Sequence, residues 1–174
     1  MSKLTDRDVR IICLPPSTVA SIHKIGCEPG PETITGNILF DFIKTSNLPA
    51  VTPGFRHYGF NNPDEPVHGD GHGYERWVTI PDDFEVPAPL VKKNFSGGLY
   101  AAHMIPMGAW DEWMWLHEWV VNSERYDFRW GTIGDGICGW LEEHLDAPHH
   151  YLWPPNECDK LLQLDLLIPI KERN

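Results

Sequence analysis

The sequence predicts an α+β fold: two pseudo-symmetric strand-helix-strand-strand halves forming a curved antiparallel sheet with helices on one face. Three observations point there. The hydrophobic period changes from strand-like to helix-like and back, twice along the chain. Segments rich in proline and glycine separate the periodic stretches. A strand ending on a hydrophobic-proline step occurs in each half, as Thr79-Ile80-Pro81 and Leu167-Ile168-Pro169. Strands with helices laid on one face form a two-layer architecture.

In order along the chain, Val9 to Pro15 is β-branched and reads as a strand, resumed after Pro15-Pro16 from Thr18 to His23. Ile34, Ile38, Phe42 and Ile43 recur at helical spacing, so a helix is expected from about Glu32 to Ser46, ended by Pro49 and Pro53-Gly54. Phe55 to Phe60 is a short aromatic strand, and Asp64 to Gly73 a loop rich in glycine, proline and acid. Gly73 to Ile80 alternates as a strand. Asp82 to Pro89 connects the halves, about 5–85 and 90–174, within one domain spanning 1–174.

The second half repeats the order. Leu90 to Phe95 and Leu99 to Ile105 read as a strand interrupted by a bulge at Ser96-Gly97-Gly98. Gly108 to Ser123 reads as a helix, with Trp110 and Trp113 turned to the sheet and Trp115 and Trp119 on other sides. Tyr126 to Gly136 is a loop and Ile137 to Asp146 a strand. Ala147 to Asp159 is a long loop rich in Pro, His and Trp, and Leu161 to Ile170 is the last strand.

The chain has 174 residues, 41% hydrophobic and 22% charged, which is too apolar for a disordered protein. Fourteen Lys and Arg against 25 Asp and Glu leave a net charge of −11. That argues against direct nucleic-acid binding and against anionic membranes, both of which draw on a cationic surface. No apolar run is long enough to span a membrane, and the polar segment Met1 to Arg10 is no signal peptide, so a cytoplasmic location is expected. Cys13, Cys27, Cys138 and Cys158 form no C-x-x-C pair and read as reduced thiols.

Residues two apart on a strand share a face. In Gly73 to Ile80 one set is Tyr74, Arg76, Val78 and Ile80, whose aliphatic end suits packing on a helix; Glu75 and Trp77 then lie on the open face. In Ile137 to Asp146 the leucine set belongs under a helix, leaving Trp140, Glu142 and His144 on the open face. Tyr58 and Phe60 on a neighbouring strand add aromatic walls. A carboxylate between tryptophan rings suits a lipophilic cation. It equally suits a general acid or base, because apolar walls raise a carboxyl pKa. Strand residues merely shielding an exposed sheet face would show the same pattern.

Other motifs are weaker. His68-x-x-x-His72 with Asp64, Glu65 and Asp70 carries zinc-type donors, but nothing fixes their spacing, and a solvated glycine loop accounts for them as well. No metal or cofactor is expected. There is no G-x-S-x-G and no phosphate-binding glycine loop.

Five segments, Phe55–Pro63 (FRHYGFNNP), Gly73–Asp83 (GYERWVTIPDD), Phe95–Ala101 (FSGGLYA), Trp140–Leu145 (WLEEHL) and Leu164–Ile170 (LDLLIPI), together resemble the GyrI-like small-molecule-binding domain, the effector-binding domain of AraC-type and MerR-type regulators. The resemblance spans nearly the whole chain. It implies a groove between the two halves that binds aromatic or cationic small molecules. An acidic residue on the strand before the last would recognise the ligand: Glu142, or Glu143 if the register slips by one. Trp77 and Trp140 match the family's aromatic lining, and Glu75 would give a second polar contact. The regulators carry an N-terminal helix-turn-helix, which this sequence lacks before its first strand, so a freestanding member is expected. Two alternatives stay open. Some freestanding members hydrolyse cyclopropane-bearing, DNA-alkylating natural products, which would make Glu142 a catalytic general base. Others act as protein-interaction modules on an enzyme, and a homodimer or protein partner would suit the exposed tryptophans.

Overall fold

The computed structural model describes residues 2–26, 28–63, 71–129, 139–151 and 162–173. Its elements run β1 (Arg10–Leu14), β2 (Ser17–Ile25), α1 (Pro31–Thr45), α2 (Leu48–Val51), β3 (His57–Asn61), β4 (Gly73–Ile80), β5 (Val91–Phe95) and β6 (Gly98–Pro106). They continue with α3 (Glu112–Asn122), β7 (Tyr126–Phe128), β8 (Leu141–His144), α4 (Ala147–His150) and β9 (Gln163–Glu172). The strands form a curled antiparallel sheet in the order β1-β6-β9-β8-β3-β4-β2-β5, with β7 added along β9. This is the α+β architecture that the sequence predicts, a half-barrel with its long helices on one face. No helix among the described residues is long and apolar enough to cross a membrane.

Helix α1 begins on Pro31, whose fixed φ and missing N–H suit the first helical position. Thr35, Leu39, Phe42 and Ile43 form its buried stripe, against Ala20 and Ile22 of β2 and Val78 and Ile80 of β4. Helix α3 is shorter than expected, because Gly108 (φ 98°) turns the chain before it. Leu116 and Val120, one turn apart, bury it against Ala101, Ile105, Leu166 and Ile168. Trp110 does not pack on the sheet but is 43% exposed.

Register shows how the faces run. Arg76, Gly59, Glu142 and Leu166 stand opposite one another across β4, β3, β8 and β9, so all four share the helix-covered face. Trp77, Tyr58, Glu143 and Asp165 form the adjacent row and point to the inside of the curl. There Tyr58, Phe60, Trp77, Phe95, Tyr100 and Leu141 make one buried cluster, with Phe60 edge-on to Trp77 at 4.8 Å. The inside of the curl is therefore a packed aromatic core and not an open surface.

Two expectations are corrected here. Ser96-Gly97 is not a bulge. Leu14 faces Gly98 and, three residues further, Ser17 faces Phe95, so neither strand gains a residue. Both chains bend together where Pro15-Pro16 crosses Ser96-Gly97. A β-carbon on Gly97 (φ 64°) would lie 2.7 Å from the Pro15 carbonyl carbon, hence glycine. Second, Ile137 to Asp146 is a strand only over β8 within the described residues, and the loop after Asp146 opens with α4. Cys27, Asp64, Glu65, His68, Asp70, Cys138 and Cys158 lie outside the described residues.

Candidate ligand-binding site

On the helix-covered face, α1 and α3 stand apart over the central strands and leave a cleft of about 450 Å³. Its floor is Glu142 and His144 of β8, Asn61 of β3, and Tyr74 and Arg76 of β4. Glu32 in the first turn of α1 forms one wall; Met107, Trp110 and Trp113 form the other. Both halves of the chain contribute. A hollow of about 520 Å³ beside the N-terminal segment is larger, but its charged groups, Asp6, Glu124 and Arg125, are all exposed. The cleft between the helices, by contrast, has the buried Glu142 carboxylate on its floor.

Glu142 accepts a hydrogen bond from the Tyr74 hydroxyl at 2.7 Å, and the Trp113 side chain lines the cleft beside it. Burial pushes its carboxyl pKa up; the Tyr74 hydroxyl, the Arg76 charge and Trp113 pull the other way without cancelling it. Burial pushes the Tyr74 phenol well above its ordinary value, so it stays a donor. Trp113 is backed by Trp140, the rings stacked at 5.3 Å and 21°. Burial also acts on Glu32, but the His72 imidazole hydrogen-bonded to it and the charge of Arg76 hold its pKa below the usual value.

Tyr74 reaches Glu142 from two strands away, and only because β3 carries a glycine between them. A β-carbon on Gly59 would stand 3.0 Å from the Tyr74 Cζ and closer still to the hydroxyl. Gly59→Ala is expected to swing Tyr74 aside, to push the Glu142 pKa further up, and to destabilise the protein by about 1–3 kcal/mol through overpacking. Carbon-13 titration of the Glu142 carboxyl would read this; an unchanged titration would show that Tyr74 does not depend on the glycine.

Behind Glu142, His57 and His144 stack at 4.1 Å, and both present Nε2 to Arg76 Nη1 at 3.3 Å. A guanidinium can only donate, so both imidazoles accept at Nε2 and carry their proton on Nδ1. Burial lowers both pKa values well below 6.5, with the Arg76 charge adding to it, so the pair is neutral.

The sequence-derived candidates divide between the two faces. Glu142, His144 and Trp140 share one face as expected, but it is the helix-covered face, not an open one. Glu75, Trp77, Tyr58 and Phe60 lie on the other side and are buried in the curl. The reason is the ladder: Tyr58 opposes both Trp77 and Glu143, which ties Trp77 to the parity of Glu143 and not to that of Glu142. Glu143 is held by both Nε and Nη2 of Arg56, at 2.5 and 2.6 Å. Glu75 is fully buried and accepts from Ser21, Trp77, Lys93 and Asn62. Sequence reasoning missed Arg76, Tyr74, Glu32 and His57 as neighbours of Glu142. The signal for the first two was their place on the helix-facing set; the signal for the crossing was a lone glycine inside an aromatic strand.

A half-barrel whose two helices flank a carboxylate-floored cleft has the build of an effector-binding domain. Residues 10–170 match the family model described as Cass2, integron-associated effector binding protein, and the chain belongs to that family. No curated protein matches the sequence. Among solved structures the chain is similar to the C-terminal domain of EcmrR (12% identity, 95% of this chain and 98% of that one, TM-score 0.62). It spans 57% of the EcmrR chain in a DNA complex. It is also similar to a protein from Listeria innocua described as a hydrolase (12%, 97% and 94%, TM-score 0.63) and to SAV2435 bound to tetraphenylphosphonium (14%, 94% and 93%, TM-score 0.50). At these identities the likeness is one of fold.

Proposed function

We propose that the cleft between α1 and α3 binds an aromatic small molecule through a cationic or hydrogen-bond-donating centre placed at Glu142, for sensing or sequestration. The observation that carries this reading is the setting of Glu142. A carboxylate on the floor of a partly closed cleft, faced by indole rings, offers a cation both its own charge and the negative ring faces. Membership of an effector-binding family supports it, as does the cation bound by SAV2435, a protein of the same fold. Trp113 is the main wall, Trp140 stiffens it from behind, and Met107 and Trp110 form an adaptable rim. Tyr58, Phe60, Trp77, Glu75 and Glu143 act from beneath, as the core that fixes the floor.

Binding is preferred to hydrolysis because the Tyr74 hydroxyl fixes the Glu142 carboxylate on the floor beside the Trp113 indole, the setting of a counter-charge against an aromatic wall. Calorimetric titration with tetraphenylphosphonium tests the reading. Glu142→Gln should weaken binding about tenfold or more, and Trp113→Ala several-fold. Unchanged affinity in both variants would place the ligand elsewhere.

A further inference from the structure

Arg76 is a cation on the cleft floor that makes no direct ion pair among the described residues, although its charge is felt by Glu142 and Glu32. Arg10, Arg56, Lys93 and Arg173 each have one. Its Nη1 meets two neutral imidazoles at 3.3 Å, its Nη2 meets the Glu32 carbonyl at 3.5 Å, and its Nε is buried with no partner. These contacts lie at or beyond the long end of useful hydrogen bonds. It also faces the Tyr74 ring, 5.0 Å from the guanidinium carbon, and the backbone of Gly36 in α1. A sunken charge is normally paired, because removal from water is compensated only by a counter-charge and good hydrogen bonds.

The floor therefore carries charges of both signs, Glu142 and Arg76, in the same row across the sheet and on either side of Gly59. A simple cation gains at Glu142 but is repelled by Arg76. A simple anion meets the reverse, with Glu32 opposing it as well. We infer that the ligand is zwitterionic, an aromatic molecule whose cationic centre meets Glu142 and whose carboxylate or similar oxyanion meets Arg76. This rests on the reading of the cleft as a small-molecule site and adds the chemistry of the second end. The ligand's oxygens would displace only long contacts, and Glu32 and Glu142, whose charges act on the guanidinium, form no ion pair with it.

The test uses a matched pair of dyes with the full chain. Rhodamine 110 is a zwitterion with a free carboxylate, and rhodamine 123 is its cationic methyl ester. Fluorescence anisotropy at neutral pH should show the zwitterion bound about tenfold more tightly. Arg76→Met should bring the ratio of the two affinities towards one, and Arg76→Lys, which keeps the charge, should retain part of the preference. The inference is overturned if wild-type protein binds the ester as tightly as the zwitterion, a result that needs no variant, or if Arg76→Met leaves the preference intact. In either case binding that is weakened by Glu142→Gln leaves the underlying site standing. Binding of neither dye, or binding indifferent to Glu142→Gln, overturns the site and the inference together.

Discussion

Replacing Glu75 with alanine is expected to destabilise the protein by about 3 kcal/mol, although the residue lies away from the cleft. The carboxylate is fully buried, and four donors converge on it: Ser21 Oγ and Trp77 Nε1 at 2.6 Å, Lys93 Nζ at 2.7 Å and Asn62 Nδ2 at 2.8 Å. Burial alone would raise its pKa, but these donors hold it below the usual value. Alanine would leave an ammonium, an indole N–H, a hydroxyl and an amide without their acceptor. Lys93 is 22% exposed and can turn to water, which keeps the expected loss at the lower end for a broken buried pair. Urea denaturation would measure it. A second variant, Glu75→Leu with Lys93→Met, should recover much of the loss, because it removes charge from both sides. A loss under about 1 kcal/mol for the single change would mean that the donors find other partners.

The stacked histidines make a second large effect, on pH. Both are held neutral, with pKa values well below 6.5. Between 6.5 and the folded-state values, the unfolded chain binds two protons that the folded chain does not. Stability must therefore fall as pH drops below 6.5, by up to about 2.7 kcal/mol per pH unit while the difference is two protons. Glu142 and Glu143, with raised pKa values, work in the opposite direction, adding stability as pH falls through those values towards 4.5. Glu75 adds a further loss as pH falls from 4.5 through its lowered folded value. Denaturation curves at pH 7, 6.5, 6 and 5.5 would show the slope, and His144→Leu should reduce it by half. Flat stability across this range would mean that the pair titrates as freely as in an unfolded chain.

Most of the architecture was legible because it rests on local pattern. The alternation in Gly73–Ile80 and the stripe of Leu39, Phe42 and Ile43 fix β4 and α1 almost to the residue. What pattern cannot show is which side of a sheet becomes its inside. Leu141 and Leu145 made their face read as helix-covered, yet Leu141 belongs to the aromatic core of the curl, and the set carrying Glu142 faces the helices. Parity was readable and polarity was not, since polarity depends on the pairing of β3, which carries β4 beside it, with β8, five strands further along the sequence. Arg76 was hidden for the same reason. A lone arginine in an alternating strand gives no sign that its neighbours will be two imidazoles from other strands.

The crossing at Pro15-Pro16 and Ser96-Gly97 has a mechanical consequence. Among the described residues, strand β1 opens the first half yet pairs only with β6 of the second, and β5 opens the second half yet pairs only with β2 of the first. Each half is completed by a strand lent by the other, an exchange made within a single chain. The halves cannot swing apart like jaws without unzipping those ladders, so α1 and α3 are mounted on a frame of fixed span. Ligands of different size must then be met by side chains that rotate at the rim, Met107 and Trp110, rather than by any widening of the cleft itself.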